Sequence, residues 1–289
     1  MINALLLCLS VALGSGKNLI SKFCPQRKIF IFNAIAFAVA FICILIIGLI
    51  GGITVNGYII LFAALYALFT MLAQICYIKA VAVGDFSISS LMYSCGFMIP
   101  SIFGAIIYHE KVTAFQIVGF IVILASFIIG NLKREKGKTG FKWLILSVSA
   151  MICSGIVGLL QKIFRNSNYA QELDSLLVFA FIFISLVSVI LHFILARKPS
   201  DDENSTTDER SYKFILLIAI IMGVVLCAQN KTNLYLSGAM SSMIFFPVCN
   251  GGTIVVSALL DKVILKKELT VYKIVSVALG VVGIVLTVL

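Results

Sequence analysis

Long apolar segments separated by short polar loops take up nearly the whole chain, and ten of them are predicted to cross a membrane. A spanning α-helix needs about 20 mainly apolar residues, because the lipid core offers its backbone no partner outside the helix. The predicted spans are 2–22, 29–50, 57–81, 86–108, 112–131, 141–162, 173–196, 213–236, 238–260 and 270–289. The pattern therefore predicts an all-α membrane protein with ten transmembrane helices.

Composition supports a membrane location. Hydrophobic residues make up 61% of the chain and charged residues only 12%, against about 45–50% and 25% in soluble domains. The net charge of +10 indicates membrane orientation and not nucleic-acid binding. Most Lys and Arg residues follow spans 1, 3, 5, 7 and 9, which places both termini outside the cytoplasm. We predict a multi-pass protein of the cell membrane (inner or plasma membrane).

The pattern of spans 4 and 5 recurs in spans 9 and 10, which indicates an internal duplication. Each copy has a glycine before a Ser-Ser pair, then a proline, then a glutamate that opens the next span. These residues are Gly84, Pro100 and Glu110 in the first copy and Gly238, Pro247 and Glu268 in the second. Because five spans is an odd number, the second copy enters the membrane from the opposite side. The chain is thus predicted to hold two inverted five-helix repeats, 1–137 and 138–289.

These features resemble the ten-span EamA-type members of the drug/metabolite transporter (DMT) superfamily. The small-residue turn into span 4, the two prolines and the two glutamates carry the resemblance. The stretch from Phe246 to Gly252 also resembles nucleotide-sugar and triose-phosphate relatives. The resemblance implies helices around a central cavity and transport by alternating access. The chain departs from the pattern where Ser276 stands in place of Gly119, and the proline-to-glutamate distance differs between the halves.

Polar residues within spans are the candidates for substrate binding, because an intramembrane polar side chain is costly unless it faces the bundle or water. Gln74 and Gln229 occupy matching positions, and Lys231 either reaches a membrane surface or meets an anionic group. The predicted cavity residues are Tyr66, Gln74, Tyr93, Gln229, Asn230, Asn233 and Asn250. The alternative role of the amides is hydrogen bonding between helices, and that of the tyrosines is anchoring at the membrane interface.

Glu110 and Glu268 are predicted to be structural acids at helix starts, where a carboxylate complements the helix dipole. Pro100 and Pro247 are predicted to kink spans 4 and 9, since each removes a backbone donor. No catalytic residue, metal site or cofactor is predicted. The 2 histidines stand apart, and no phosphate-binding loop of the G-x-x-x-x-G-K-[ST] type occurs.

These observations predict a secondary carrier for a small polar or amphipathic metabolite. Amino acids or their analogues are favoured, because EamA-type relatives often export them. A nucleotide-sugar or drug transporter of the same superfamily is the alternative, and an intramembrane enzyme acting on a lipid is the alternative from a different class. The predicted partners are the small-molecule substrate and the lipid bilayer. A coupling proton and a homodimer remain open, and nucleic acid is excluded.

Overall fold

The computed structural model describes residues 2–21, 23, 29–83, 86–130, 140–195, 209–264 and 271–289. Throughout these ranges the regular secondary structure is helical and no β-strand occurs. The all-α prediction is confirmed for this part of the chain. Glu268 and Gly84 lie outside the described residues.

The helices follow the predicted spans closely. The first five are α1 (Ile2–Ser21), α2 (Ile29–Gly51), α3 (Gly57–Val83), α4 (Phe86–Ser94) and α5 (Met98–Ile107). The remaining six are α6 (Ala114–Gly130), α7 (Phe141–Arg165), α8 (Leu173–Leu195), α9 (Glu209–Ala239), α10 (Ser242–Val263) and α11 (Val271–Val288). A single turn of 3-10 helix, Cys95–Phe97, separates α4 from α5. The fourth predicted span is therefore two short helices in succession.

Eight helical segments of the described chain are long and apolar enough to cross a membrane. The helices α6 and α11 are apolar but shorter. Ser89–Ile107, which contains the 3-10 turn, counts as one of the eight segments. Pro100 is the third residue of α5, just after that turn. Pro247 lies inside α10, where it cannot donate to the carbonyl four residues earlier.

The chain forms two compact units that do not coincide with the two halves of the sequence. Unit 1 comprises Met1–Ser15, Leu72–Gln171 and Thr232–Leu289, and unit 2 comprises Gly16–Met71 and Glu172–Lys231. Both halves of the sequence contribute to each unit. The long helices α3 and α9 also contribute to both units, and they change unit after Met71 and Lys231.

In unit 1, α6 and α11 pack closely and run antiparallel. A Cβ atom added to Gly119 would lie 2.7 Å from the carbonyl oxygen of Gly283, so this approach requires a residue without a side chain. About two turns farther along α6, the Ser126 hydroxyl donates to the carbonyl oxygen of Ser276 on α11 at 2.8 Å. Aromatic rings fill the adjoining core, where Phe97 meets Phe127 edge to face.

In unit 2, α2 and α8 pack together and also run antiparallel. Ser175, near the start of α8, accepts a hydrogen bond from the backbone N–H of Thr54 just beyond α2, at 3.0 Å. Ser185, farther along α8, donates to the carbonyl of Ala34 near the start of α2, at 3.0 Å. Between these ends, the rings of Phe37 and Phe181 lie 5.7 Å apart. Hydroxyls at both ends and apolar rings between them thus hold the pair together.

Candidate functional site

Three of the predicted cavity residues, Tyr66, Gln229 and Asn230, belong to unit 2. The Tyr66 hydroxyl on α3 donates to Oδ1 of Asn230 on α9 at 2.7 Å. The amide nitrogen of Asn230 in turn donates to the carbonyl of Leu226, one turn earlier, at 2.8 Å. The Tyr66–Asn230 pair is therefore fixed in orientation, with the Asn230 oxygen facing Tyr66.

Gln229, the neighbour of Asn230, differs from it in the hydrogen bonding of its side-chain oxygen. Its side chain is 6% exposed, and its Oε1 atom has no hydrogen-bond partner among the residues that the structure describes. In the described part of unit 2, three further buried polar atoms lack a hydrogen bond: Nδ2 of Asn33, Oγ1 of Thr70 and Oδ1 of Asp174, the last of which lies in an ion pair. An unsatisfied buried acceptor costs about 1–3 kcal/mol, so Gln229 is the predicted site residue with the strongest requirement for a donor.

Lys231 forms an ion pair within unit 2. Its Nζ lies 2.8 Å and 3.0 Å from the two carboxylate oxygens of Asp174, at the start of α8. The side chains are 36% and 23% exposed. Of the two roles left open by the sequence, recognition of an anion is the less favoured, because a carboxylate of the protein already neutralises this lysine.

The other four predicted cavity residues, Gln74, Tyr93, Asn233 and Asn250, belong to unit 1. Ser10 on α1 donates to Oδ1 of Asn233 and lies 3.1 Å from the thiol of Cys249 on α10. These side chains connect three helices. Asn250 donates back to the carbonyl of Phe246 on its own helix at 2.9 Å. The contacts of Asn233 and Asn250 in unit 1 are thus with the protein itself.

Tyr93 and Gln74 lie close to Tyr77, which is not among the predicted cavity residues. The rings of Tyr93 and Tyr77 are 5.1 Å apart, and the Tyr77 hydroxyl is 2.7 Å from the Ser90 hydroxyl. Gln74 is half-buried one turn before Tyr77 on α3, so the two share a face of that helix. Unit 1 therefore carries an aromatic and amide surface at the end of α3.

Glu110 lies in the α5–α6 loop, and its carboxylate contacts the start of a different helix from the one the sequence suggested. The backbone N–H of Ser242, the first residue of α10, donates to Oε2 at 2.7 Å. The hydroxyls of Ser241 and Ser242 donate to Oε2 and Oε1 at 2.8 Å and 3.0 Å. Ser241, the N-cap residue, makes no side-chain cap of its own. Glu110 thus supplies the acceptor for the N-terminus of α10 and not for α6, which follows it in sequence.

Lys162, near the end of α7, completes this group. Its Nζ lies 2.8 Å from Oε1 of Glu110 and donates to the carbonyl of Met240 at 3.1 Å. Burial acts to raise the pKa of Glu110, but the hydrogen bonds from Lys162, Ser241 and Ser242 and the Lys162 charge outweigh it. The net effect lowers the pKa of Glu110 below its ordinary value. Glu110 is therefore ionised at neutral pH.

Lys162 was missed as a site residue because it falls at the very end of a predicted span, where a lysine normally marks a loop. The available signal was its position in the repeat, since Lys22 precedes the corresponding loop of the first half. In the described ranges, no group of three or more His, Cys, Asp or Glu side chains is arranged to hold a metal ion.

Comparisons with known proteins identify the family. No protein among those with curated descriptions matches the chain. A solved crystal structure is similar to this protein, and the alignment covers 98% of this chain and 95% of the other chain, with a TM-score of 0.75. The two sequences are 14% identical, so the likeness concerns the fold alone. The model of the EamA-like transporter family matches twice, at residues 1–132 and 141–289. This confirms the resemblance drawn from the sequence: the chain is a multi-pass protein of the cell membrane that belongs to the EamA-like transporter family, within the drug/metabolite transporter superfamily.

Proposed function

We propose that the protein is a secondary carrier that moves a small polar or amphipathic metabolite by alternating access, with an amino acid or analogue as the favoured substrate. In this proposal ten spans form two inverted repeats, 1–137 and 138–289. The observation that carries the proposal is the buried oxygen of Gln229, for which the described part of the chain offers no hydrogen-bond donor. A substrate ammonium or amide N–H would supply the donor that this oxygen lacks.

The contact between α6 and α11 supports inverted repeats. The offset that places Ser276 on Gly119 also places Gly283 on Ser126. A two-fold axis would therefore convert the contact of Gly119 with Gly283 into a contact of Ser276 with Ser126. Both contacts are present. Inverted repeats of this kind suit a carrier, because exchanging the conformations of the two halves exchanges the side from which a site is reached.

The charges around the polar helices favour an amino acid over a nucleotide sugar. A nucleotide sugar carries phosphates, which require unpaired cations. Lys231 and Lys162, the two intramembrane lysines whose contacts are described above, are each paired with a carboxylate. A zwitterion with no net charge avoids this requirement. The nucleotide-sugar alternative would need one of these ion pairs to open, or the phosphates to bind Arg165, which has no carboxylate partner among the described residues.

The test is uptake by purified protein in liposomes, with labelled amino acids, sugars and nucleotides offered separately. Each is measured with and without a pH gradient, which also decides whether a proton is coupled. Saturable uptake of amino acids supports the proposal. Saturable uptake of nucleotide sugars alone would replace the amino acid as substrate, and no uptake of any class would contradict the carrier function.

The variant Gln229→Leu separates a binding role from a structural one. Leucine removes the unsatisfied oxygen, so the folded protein is expected to be equally or more stable, while uptake falls by about tenfold or more because the substrate donor loses its acceptor. The matched control is Gln116→Leu. Gln116 is also buried, but its Oε1 accepts a hydrogen bond from the backbone N–H of Thr113 at 3.2 Å, so its loss should lower stability and leave the substrate affinity unchanged. Loss of stability in Gln229→Leu would indicate interhelical support instead of binding.

A further inference from the structure

Four residues at one end of unit 1 form a group that we call the lock: Glu110, Lys162, Ser241 and Ser242. The Glu110 carboxylate receives a backbone N–H, two hydroxyls and an ammonium, all at 2.7–3.0 Å. The side chains of Lys162 and Glu110 are 5% and 13% exposed. The carboxylate is therefore fully coordinated and largely closed off from its surroundings.

The lock joins three parts of the chain that are distant in sequence. Glu110 belongs to the α5–α6 loop and Lys162 to the last turns of α7. Ser241 belongs to the α9–α10 turn, and Ser242 is the first residue of α10. Lys162 also donates to Met240 in that turn, and its ammonium lies 5.8 Å from the centre of the Tyr108 ring. The start of α10 is thus tied to both neighbours by contacts to one carboxylate and one ammonium.

A group of this kind determines a conformation more than it adds stability. Removing two charges from water costs nearly as much free energy as the pair regains, so a buried ion pair adds little net stability over an apolar pair of the same volume. The same contacts strongly disfavour any arrangement in which only one partner stays buried. Such a pair suits a contact that forms in one conformation and separates completely in another.

Taking the transport cycle of the proposed function as given, we propose that the lock is a conformational latch: it holds the start of α10 closed against the α5–α6 loop in one access state and opens in the other. Glu110 is then a positioning residue for α10 and neither a substrate ligand nor a proton carrier. Weakening the lock shifts the population towards the state in which the start of α10 is accessible.

The test measures access to the start of α10 directly. Met243, the second residue of α10, is 6% exposed, belongs to the apolar core of unit 1 and is not one of the four lock residues. In protein whose native cysteines are replaced by alanine, Met243→Cys is labelled in liposomes with a membrane-impermeant maleimide. We expect Glu110→Gln to speed labelling about tenfold, the factor that corresponds to losing a hydrogen bond to a charged group.

Two further variants keep the test decisive. Because Lys162 alone is a buried charge in Glu110→Gln, the double variant E110Q/K162M removes both charges and should also label faster. The matched control is Asp174→Asn, which breaks the ion pair of unit 2 and should leave labelling of Met243→Cys unchanged. Unchanged labelling in both lock variants, with monodisperse folded protein, would overturn the proposal. Equal acceleration by Asp174→Asn would overturn it too, since the effect would then be general loosening.

The labelling rate needs no substrate, so the lock and the proposed function fail separately. Fast labelling in the lock variants together with absent uptake in the parent protein would leave the latch standing and remove the carrier. Uptake in the parent protein with unchanged labelling in the lock variants would support the carrier function and overturn the latch. Where both hold, Glu110→Gln should change the uptake rate, while Gln229→Leu should leave the labelling rate unchanged.

Discussion

Within the described residues each compact unit holds one lysine–carboxylate pair, and the two pairs differ in burial and in coordination. Lys162 and Glu110 of unit 1 are 5% and 13% exposed, and the carboxylate has three further donors. Lys231 and Asp174 of unit 2 are 36% and 23% exposed at a similar separation of 2.8 Å. The distance between the charged atoms therefore does not distinguish the pairs; their surroundings do.

The difference determines what each pair contributes. A surface pair in water is worth about 0–1 kcal/mol, because its charges remain solvated when they separate. The half-buried pair of unit 2 is closer to this case than the pair of unit 1 is. Breaking a buried pair by removing one partner costs about 3–5 kcal/mol, because the other charge stays behind without compensation. We therefore expect the pair of unit 1 to be sensitive to single substitutions and the pair of unit 2 to be tolerant of them.

The largest expected effect is that of Lys162→Met. The variant leaves the Glu110 carboxylate buried without its cation, so the free energy of unfolding should fall by about 3–5 kcal/mol, measured by titration with SDS in mixed micelles. E110Q/K162M should recover most of this loss. If the double variant is as unstable as the single one, the lost contribution is the packing of the lysine stem and not its charge.

A smaller loss is expected for Gly104→Ala. The added methyl group would overlap Oγ of Ser242 and lie 2.8 Å from its Cβ, which pushes the start of α10 away from α5. Overpacking of this kind costs about 1–3 kcal/mol. Gly16→Ala is the control, because no atom of the described residues lies within 4 Å of a Cβ at that position. Equal stability of the two variants in thermal unfolding would show that α10 is not held close to α5.

The pH dependence of unfolding gives a third comparison. The pKa of Glu110 is lowered from its ordinary value of 4.5, so its stabilising contribution is complete above that value and is lost as the pH falls through the lowered pKa of the folded state. Between about pH 7 and pH 5, Glu110 should therefore contribute no pH dependence. Glu110→Gln should flatten the acid limb of the unfolding curve. If the acid limb of the unfolding curve is as steep in Glu110→Gln as in the parent protein, other carboxylates are responsible for acid unfolding.

The smallest effect is expected for Lys231→Met in unit 2. At 36% exposure, the loss of this cation should change the free energy of unfolding by less than about 1 kcal/mol. SDS titration of Lys231→Met and Lys162→Met under the same conditions measures the loss of unfolding free energy for both pairs. A loss as large as that of Lys162→Met would mean that Asp174 is as dependent on its partner as Glu110, and the contrast between the units would disappear.

The helices could be predicted from the sequence, because an apolar segment of sufficient length in lipid has few alternatives to a helix. The boundaries of α2 and α8 differ from the predicted spans by one residue. The 3-10 turn at Cys95–Phe97 was not predicted. Pro100 indicated a disturbance in that span but could not reveal where the winding changes, since this depends on the packing of neighbouring helices.

The roles of individual polar residues were less predictable than the helices. The sequence identifies Glu110 as a helix-start acid but cannot show that the helix is α10, since that contact depends on the tertiary structure. It likewise gives no means of distinguishing Gln229, with its unpartnered oxygen, from Asn230, which is bonded to Tyr66. Neighbouring amides on one helix face different surroundings, and only the packed helices determine which amide remains available.

The coordination of Glu110 also has a consequence for biosynthesis. The hydroxyl that completes it belongs to Ser241, which is 131 positions later in the chain. A ribosome adds about 5–20 residues per second. Several seconds therefore pass between the synthesis of Glu110 and the synthesis of its last hydrogen-bond donors. During that interval the amino-terminal half is inserted with an acidic group whose final partners do not yet exist. The amino-terminal half is therefore expected to fold poorly when it is expressed alone, and its folding should depend on synthesis of the carboxyl-terminal half.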